Sequence, residues 1–284
     1  MTSVKAELVD LRDVHPFVKW AGGKKQLLPE LDKMIPQFNR YFEPFLGGAA
    51  LFFHMMSRDM RFTACLSDTN GELVITYNIV RDNVRSLIDV LNKHQEEYRK
   101  NPKEYYYQLR SSRPSNDVEI AARFITLNRT CFNGLYRVNK KGEFNVPIGD
   151  YHDPTICDSS NLENVSNALR YSKILAADFV DSTGNAKKDD FVYFDPPYDP
   201  VSYTSNFTAY TTNGFGRENQ IQLADVFRKL ADRGCLLLLS NSDTPFIRKL
   251  YSDYSIKGVD AQRAINCKGS KRAGHKELLI YNYS

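Results

Sequence analysis

Two short runs in the second half of the chain, DFVYFD (190–195) and CLLLLS (235–240), are apolar at nearly every inner position rather than at alternate ones. A strand with water on one face alternates. A strand with no polar side must be covered on both faces, which is the situation inside a parallel sheet sandwiched by helices. Further strand-like runs accompany these two. RYFEPF (40–45) leads into Gly47 and Gly48, RFTACLSD (61–68) ends on an acid, SKILAADF (172–179) precedes the apolar pair, and KELLIYNY (276–283) alternates near the end. Segments of helical spacing separate them, notably QLLPELDKMI (26–35) and ENQIQLADVFRKLADR (218–233), the second stopped by Gly234. This alternation predicts an α/β fold with a mostly parallel sheet.

The alternation is interrupted once. From Gly71 to Arg129 almost everything has helical periodicity. GELVITYNIVRDNVRSLIDVLNKHQEEYRK reads as one long helix with apolar residues at 73, 77, 80, 84, 87, 88 and 91. DVEIAARFITLNR (117–129) is a second helix, which Asn116 or Asp117 can cap. Crossovers in parallel sheets are far shorter. The block at about 69–157 is therefore expected to be an inserted, mainly helical second domain. A chain of 284 residues has room for that.

Charge placement says more than the net value of +4. Between Ile120 and Gly142 lie Arg123, Arg129, Arg137, Lys140 and Lys141 with no acid, and between Ala261 and Glu277 lie Arg263, Lys268, Lys271, Arg272 and Lys276, again with none. Two acid-free basic segments point to a polyanion partner. The five cysteines are widely spaced and contain no C-x-x-C pair, which argues against a metal cage or a disulfide framework and for reduced thiols in a cytosol. No apolar run reaches the roughly 18 residues of a membrane span. The opening MTSVKAELVDLRDV carries Glu7, Asp10 and Asp13, unlike a signal peptide. The expectation is a soluble cytoplasmic protein.

Three motifs carry chemistry. Asp195-Pro196-Pro197-Tyr198 follows the buried run FVYF. Sheets of this kind bind ligands at the carboxyl ends of their strands, and two φ-locked prolines hold the backbone rigid there. The Asp195 carboxylate and the Pro196 carbonyl then form two fixed acceptors beside an aromatic face, which suits a planar ring bearing an amino group. Glu43-Pro44-Phe45-Leu46-Gly47-Gly48-Ala49-Ala50 is a small-residue loop open to close ligand approach. It has neither the G-x-G-x-x-G nor the GK[ST] pattern. Asp68 closes the next strand 21 residues after Gly47, where an acid can take two ribose hydroxyls. Phe17-Val18-Lys19-Trp20-Ala21-Gly22-Gly23-Lys24 holds the single Trp, with Trp20 suited to pack on a cofactor and Lys24 to face its carboxylate.

F-V-K-W-A-G-G-K, E-P-F-x-G-G and D-P-P-Y, in that order and with an insert before the last, resemble the Dam-type DNA adenine methyltransferases. So do Leu127–Asn139 and Gly142–Pro147 within the insert, Asn206–Tyr210, and Leu239–Asp243. The resemblance implies a Rossmann-like sheet using S-adenosylmethionine, formed by 1–68 and 158–284. It implies a DNA target-recognition domain at 69–157 that carries a β-hairpin. The reaction would be methylation of the exocyclic amine (N6) of an adenine flipped out of a duplex, typically in GATC. Trp20, Lys24, Phe45, Gly47, Asp68, Asp178, Phe179 and Asp195 would contact the cofactor, while Asp195, Pro196 and Tyr198 would hold the adenine. Lys19 would reach the first guanine. Phe132 would enter the base stack, Asn133 would support the opened pair, and Leu135, Arg137 and Pro147 would read outer bases. Lys140 and Lys141 at the hairpin tip suit phosphate. No metal and no membrane is called for. The resemblance further implies a monomer bound to double-stranded DNA, alone or beside a companion restriction endonuclease.

Rival readings meet the same residues less well. A cytosine-amine methyltransferase would usually show Ser at 195, and an RNA or protein-glutamine enzyme Asn without the basic insert. A catalytically inactive DNA-binding protein would not keep Asp195–Tyr198 intact. His15, His54, His94, His152 and His275 are scattered and have no assigned role.

Overall fold

The computed structural model describes residues 10–200, 214–261 and 275–283. The segment Asn206–Tyr210 and most of the basic stretch 261–277 lie outside them. Among the described residues, β1 (Arg40–Glu43), β2 (Thr63–Asp68), β3 (Ser172–Ala176), β4 (Phe191–Phe194), β5 (Leu236–Ser242), β6 (Ser255–Ala261) and β7 (His275–Tyr281) form one sheet in the order β3-β2-β1-β4-β5-β7-β6. The first five pair in parallel, and β7 runs antiparallel between β5 and β6. This is the expected α/β, Rossmann-like architecture. β6 was not foreseen: SIKGVDA, an edge strand with Lys257, Gly258 and Asp260, lacks the apolar density of the inner strands.

Ten helices connect the described strands: α1 (Leu28–Asp32), α2 (Ala50–Ser57), α3 (Gly71–Asp82), α4 (Val84–Lys100), α5 (Pro102–Ser111), α6 (Asp117–Thr130), α7 (Ser159–Leu169), α8 (Phe179–Thr183), α9 (Arg217–Asp232) and α10 (Pro245–Leu250). The long helix expected from residue 71 is two helices. Asn83, at φ −142° and ψ 41°, ends α3 and starts α4, so the continuous apolar stripe turns a corner that periodicity does not reveal. Asn116 caps α6, its side chain accepting the Glu119 N–H at 3.0 Å. The strand expected over 172–179 stops at Ala176, because Asp178 turns to cap α8.

Strand register sorts the sheet into two faces. Val192, Phe194, Leu237, Leu239, Leu278 and Ile280 pack with Phe179 of α8, Phe227 of α9 and Ile247 of α10. Tyr41, Phe191, Tyr193, Leu238 and Leu279 pack on the other side with Phe52, Tyr77, Leu91, Phe124 and Val165. The long helical block thus covers one face of the sheet, and a single core runs from that face into α3, α4 and α6.

Glu43, at the end of β1, lies on the same side and is only 3% exposed. Tyr41 Oη donates to its Oε2 at 2.9 Å. Burial, with the nearby Asp195 charge adding to it, pushes the Glu43 carboxyl up to about 8 from its ordinary 4.5, so the folded chain keeps a proton that the unfolded chain releases. For an acid shifted in this direction, the native state binds more protons between the two values. Stability therefore falls as pH rises from about 4.5 to about 8 and is level above that, with a loss on the order of a few kcal/mol. Glu43→Gln, which mimics the neutral form, is expected to remove most of that slope in urea denaturation run at pH 6 and pH 8.5. An unchanged slope would mean that Glu43 is ionised in the fold.

Candidate active site at the ends of strands β1 and β4

β1 pairs with β2 on one side and β4 on the other, and the chain leaves these two neighbours in opposite directions. Such a switch point opens a crevice at the carboxyl ends of the strands. The loop after β1 enters it on a left-handed Gly47, at φ +44°. A Cβ there would stand 2.6 Å from the Trp20 ring, so a side chain at 47 would displace the indole. The loop is held from two sides. Tyr77 Oη of α3 donates to the Gly47 carbonyl at 3.1 Å, and Asp68 Oδ2 accepts the Gly47 N–H at 3.0 Å. Asp68 Oδ1 accepts the Asn70 N–H at 2.9 Å. Burial raises the Asp68 carboxyl above its usual value against these backbone bonds.

Asp195 stands across the crevice, its side chain 20% exposed. Among the described residues, two contacts reach its carboxylate and both fall on Oδ1: Lys24 Nζ at 2.8 Å and the Ser240 hydroxyl at 2.9 Å. Lys24 is itself only 7% exposed, also donates to the Gly22 carbonyl at 2.7 Å, and lies 4.8 Å from the centre of the Tyr198 ring. Tyr198 Oη donates to Glu277 Oε2 on β7 at 2.8 Å. Burial, Asp195 and Glu277 hold that phenol far above its ordinary value, so it remains a donor. Gln220 of α9 donates to the Pro197 carbonyl at 2.8 Å, and Thr244 to Asp199 Oδ2 at 2.8 Å. Among the described residues no donor reaches the Pro196 carbonyl.

Phe45 and Phe179 stack with centroids 5.5 Å apart and planes 24° apart, and Phe215 meets both edge-on. Asp178 caps α8 through Oδ1 alone, accepting the Val180 and Asp181 N–H groups at 2.9 Å each. Phe45, Gly47, Asp68, Asp178, Phe179, Lys24 and Asp195 are thus carried by the strand ends and loops that border the crevice. Trp20 packs against Gly47 and stacks on Tyr136 at 5.9 Å and Phe124 at 6.5 Å, which joins the loop to the helical layer.

The hairpin expected within the helical block is present as a narrow one. Val138 bridges Phe144, and Lys140 and Lys141 stand exposed at its tip. Arg137 donates from Nε to Asn145 Oδ1 at 2.7 Å and from Nη2 to the Asn145 carbonyl, which aligns the guanidinium along the hairpin. Phe132, 48% exposed, begins a short 3₁₀ turn (Phe132–Gly134), and its N–H donates to the Pro147 carbonyl at 2.9 Å. Asn133 is exposed in the left-handed region and Leu135 is half-buried. Lys19 sits against this turn. A Cβ on Gly134 would stand 2.5 Å from the Lys19 side chain, whose ammonium lies over the Tyr151 ring at 4.1 Å.

Several residues here had no role in the sequence reading. Asn128 on α6 clamps the Lys19 backbone, accepting its N–H and donating to its carbonyl at 2.8 Å each. Ser240, Glu277, Phe215 and Tyr151 join the site through strand register or loop packing; Ser240 lies within the Leu239–Asp243 run, but no role was assigned to it there.

The family model of the D12 class N6 adenine-specific DNA methyltransferase matches residues 20–265. The chain is 45% identical over 288 residues to the type II methyltransferase M.MjaIII of Methanocaldococcus jannaschii, covering 95% of this chain and 100% of the relative. It is 43% identical to the type II methyltransferase M1.LlaDCHI of Lactococcus lactis subsp. cremoris, covering 95% and 96%. The DNA adenine methylase of Escherichia coli K12 is 35% identical, with 93% of each chain covered. No described helix is long and apolar enough to cross a membrane, and no cluster of metal-ligating side chains occurs among the described residues. On this match the chain belongs to the D12 class of N6 adenine-specific DNA methyltransferases.

Proposed function

We propose that this adenine-N6 DNA methyltransferase takes its methyl group from S-adenosylmethionine and acts on a flipped-out adenine, with GATC as its site. The observation that carries the reading is the Asp195 carboxylate. It is anchored through Oδ1 beside the Tyr198 ring, with the Pro196 carbonyl free of donors among the described residues.

The donor set at the crevice fits the cofactor. Phe45, Phe179 and Phe215 offer flat apolar surface to a purine. Asp68 accepts backbone N–H groups from Asn70, Gly47 and Thr69, and the acceptor capacity left on its two oxygens would serve ribose hydroxyls. Asp178 keeps Oδ2 for a polar edge. Lys24 faces the reacting centre and couples Asp195 to it. When bound, S-adenosylmethionine supplies a methyl group activated by its sulfonium.

The residues of the chain supply the rest. Adenine inside a duplex is out of reach, and opening it costs a few kcal/mol. The exposed Phe132 ring would fill the vacated stack, with Asn133 beside the orphaned partner. Asp195 Oδ2 and the Pro196 carbonyl would accept the two amine hydrogens. That draws the nitrogen lone pair out of the ring, where delocalisation makes it a poor nucleophile, and the carboxylate takes the proton released. Tyr198 would stack on the base. Preorganised acceptors of this kind do most of the catalytic work.

For recognition, residues 69–157 would form the target-reading layer. Lys19, Leu135, Arg137 and Pro147 would approach base edges, and Lys140 and Lys141 phosphates.

Asp195→Asn is the sharper test than Asp195→Ala, because Ala would leave the buried Lys24 ammonium without its counter-charge. Asn can keep its oxygen toward Lys24 and Ser240 and must then aim its NH₂ at the adenine amine, donor against donor. The expected loss in methyl transfer is on the order of 100-fold or more with DNA binding retained. Near wild-type transfer, read by methylation-sensitive digestion, would show that the adenine lies elsewhere.

Arg137 and Lys140 should fail differently. Asn145 engages two of the five guanidinium donors, and the remaining edge can serve both major-groove acceptors of guanine. Arg137→Ala is expected to cost about 1–3 kcal/mol at one base pair and to admit GATC variants altered there, whereas Lys140→Ala weakens all sequences alike and lowers the salt slope by about one unit. Methylation rates over the single-base variants at two salt concentrations separate the two. Uniform loss for Arg137→Ala would make it a phosphate contact.

A further inference from the structure

The Asp195 carboxylate is joined to an sp³ carbon through a torsion that is broad and two-fold, so rotamer preference does not set its plane. Hydrogen bonds must do so. Extending the β4–β5 register, in which Tyr193 faces Leu238 and Phe194 faces Leu239, brings Asp195 opposite Ser240. Their side chains meet at 2.9 Å, and behind them Tyr193 Oη lies 3.1 Å from Ser240 Oγ. Ser240 and Tyr193 are both essentially fully buried.

The direction of this chain is forced. Ser240 has one proton, and an ionised carboxylate can only accept. Ser240 therefore donates to Asp195 Oδ1, and Tyr193 donates to Ser240. Lys24 also bonds Oδ1, but through a flexible four-carbon stem and a rotatable ammonium that do not define a plane. Strand-borne Ser240 does define one.

We propose that Ser240, oriented by Tyr193, is a positioning residue that locks the Asp195 carboxylate through Oδ1 and leaves Oδ2 as the acceptor for the adenine amine, an inference resting on the reading of Asp195 given above. Ser240 acts through Asp195, and its hydroxyl also lies within hydrogen-bond reach of the Tyr198 phenol.

The test is a double-mutant cycle on the full chain with duplex DNA containing GATC and S-adenosylmethionine. Ser240→Ala should lower kcat by roughly 10-fold to 100-fold, the range for losing a hydrogen bond to a charged group. Dissociation constants for DNA and cofactor should stay within about twofold of wild type by the same reasoning, since the loss falls in the transition state. Tyr193→Phe should lower kcat less, likewise without weakening DNA or cofactor binding, and should have no further effect in the Ser240→Ala background. Should Ser240→Ala fold poorly, Tyr193→Phe alone still reads the kcat loss at unchanged dissociation constants. Wild-type kcat in Ser240→Ala, additive losses in the double variant, or dissociation constants weakened in step with kcat would each overturn the proposal. Asp195→Asn serves as the reference. If it is inactive while Ser240→Ala is fully active, only the positioning role falls. If it is active, the site assignment falls and takes this proposal with it.

Discussion

Parallel pairing of β1 with β4 brings together two strand ends whose chains then part, β1 toward α2 and β2, β4 toward α9 and β5. The Gly47 loop and the Asp195 loop therefore leave the sheet side by side at its carboxyl edge. The polar groups at both can face a ligand while their backbones are tied down elsewhere: Gly47 by Asp68 and Tyr77, Pro197 by Gln220, Asp199 by Thr244. The crevice is open because of topology and rigid because of these bonds.

Charge in this crevice is closely matched. Lys24 and Asp195 form a pair with little exposure, an arrangement that survives only when geometry and hydrogen bonds offset the loss of hydration. A second carboxylate next to them would unbalance the pair. Glu43 avoids that by holding its proton, under the combined effect of burial and the Asp195 charge. Glu43, the neighbour of this pair on β1, is thus kept neutral. Glu277 is the other acid near Tyr198, and it is engaged by the phenol hydroxyl.

The helical layer is fastened to the same crevice through the N-terminal segment. Trp20 stacks on Phe124 and Tyr136 on one side and covers Gly47 on the other. Asn128 pairs with both backbone groups of Lys19, and Gly134 lets the Phe132 turn press onto the Lys19 side chain. Residues 17–24 therefore touch the turn bearing Phe132 at one end and Asp195, through Lys24, at the other. This explains why a continuous core runs from the sheet into α3, α4 and α6 rather than stopping at the boundary of the block.

Much of this was legible in the chain before any coordinates. Wholly apolar runs such as FVYF mark strands covered on both faces, because burial removes every reason for a polar side chain, and D-P-P-Y at the end of one marks a rigid acceptor site by backbone chemistry alone. Local signals also narrowed the α6 cap to Asn116 or Asp117, and the family resemblance implied the hairpin around Lys140–Gly142. What the sequence could not give were pairings between segments far apart. The corner at Asn83 interrupts no apolar spacing, β6 is too polar to stand out, and Asp178 reads equally as a strand end or a cap. Ser240 beside Asp195, Asn128 on Lys19, Tyr198 on Glu277 and Lys24 on Asp195 depend on strand register and helix packing. These are set by the burial of the whole chain, and no short stretch of residues encodes them. Sequence determined which chemistry the chain could carry, and the tertiary structure decided which groups meet to carry it.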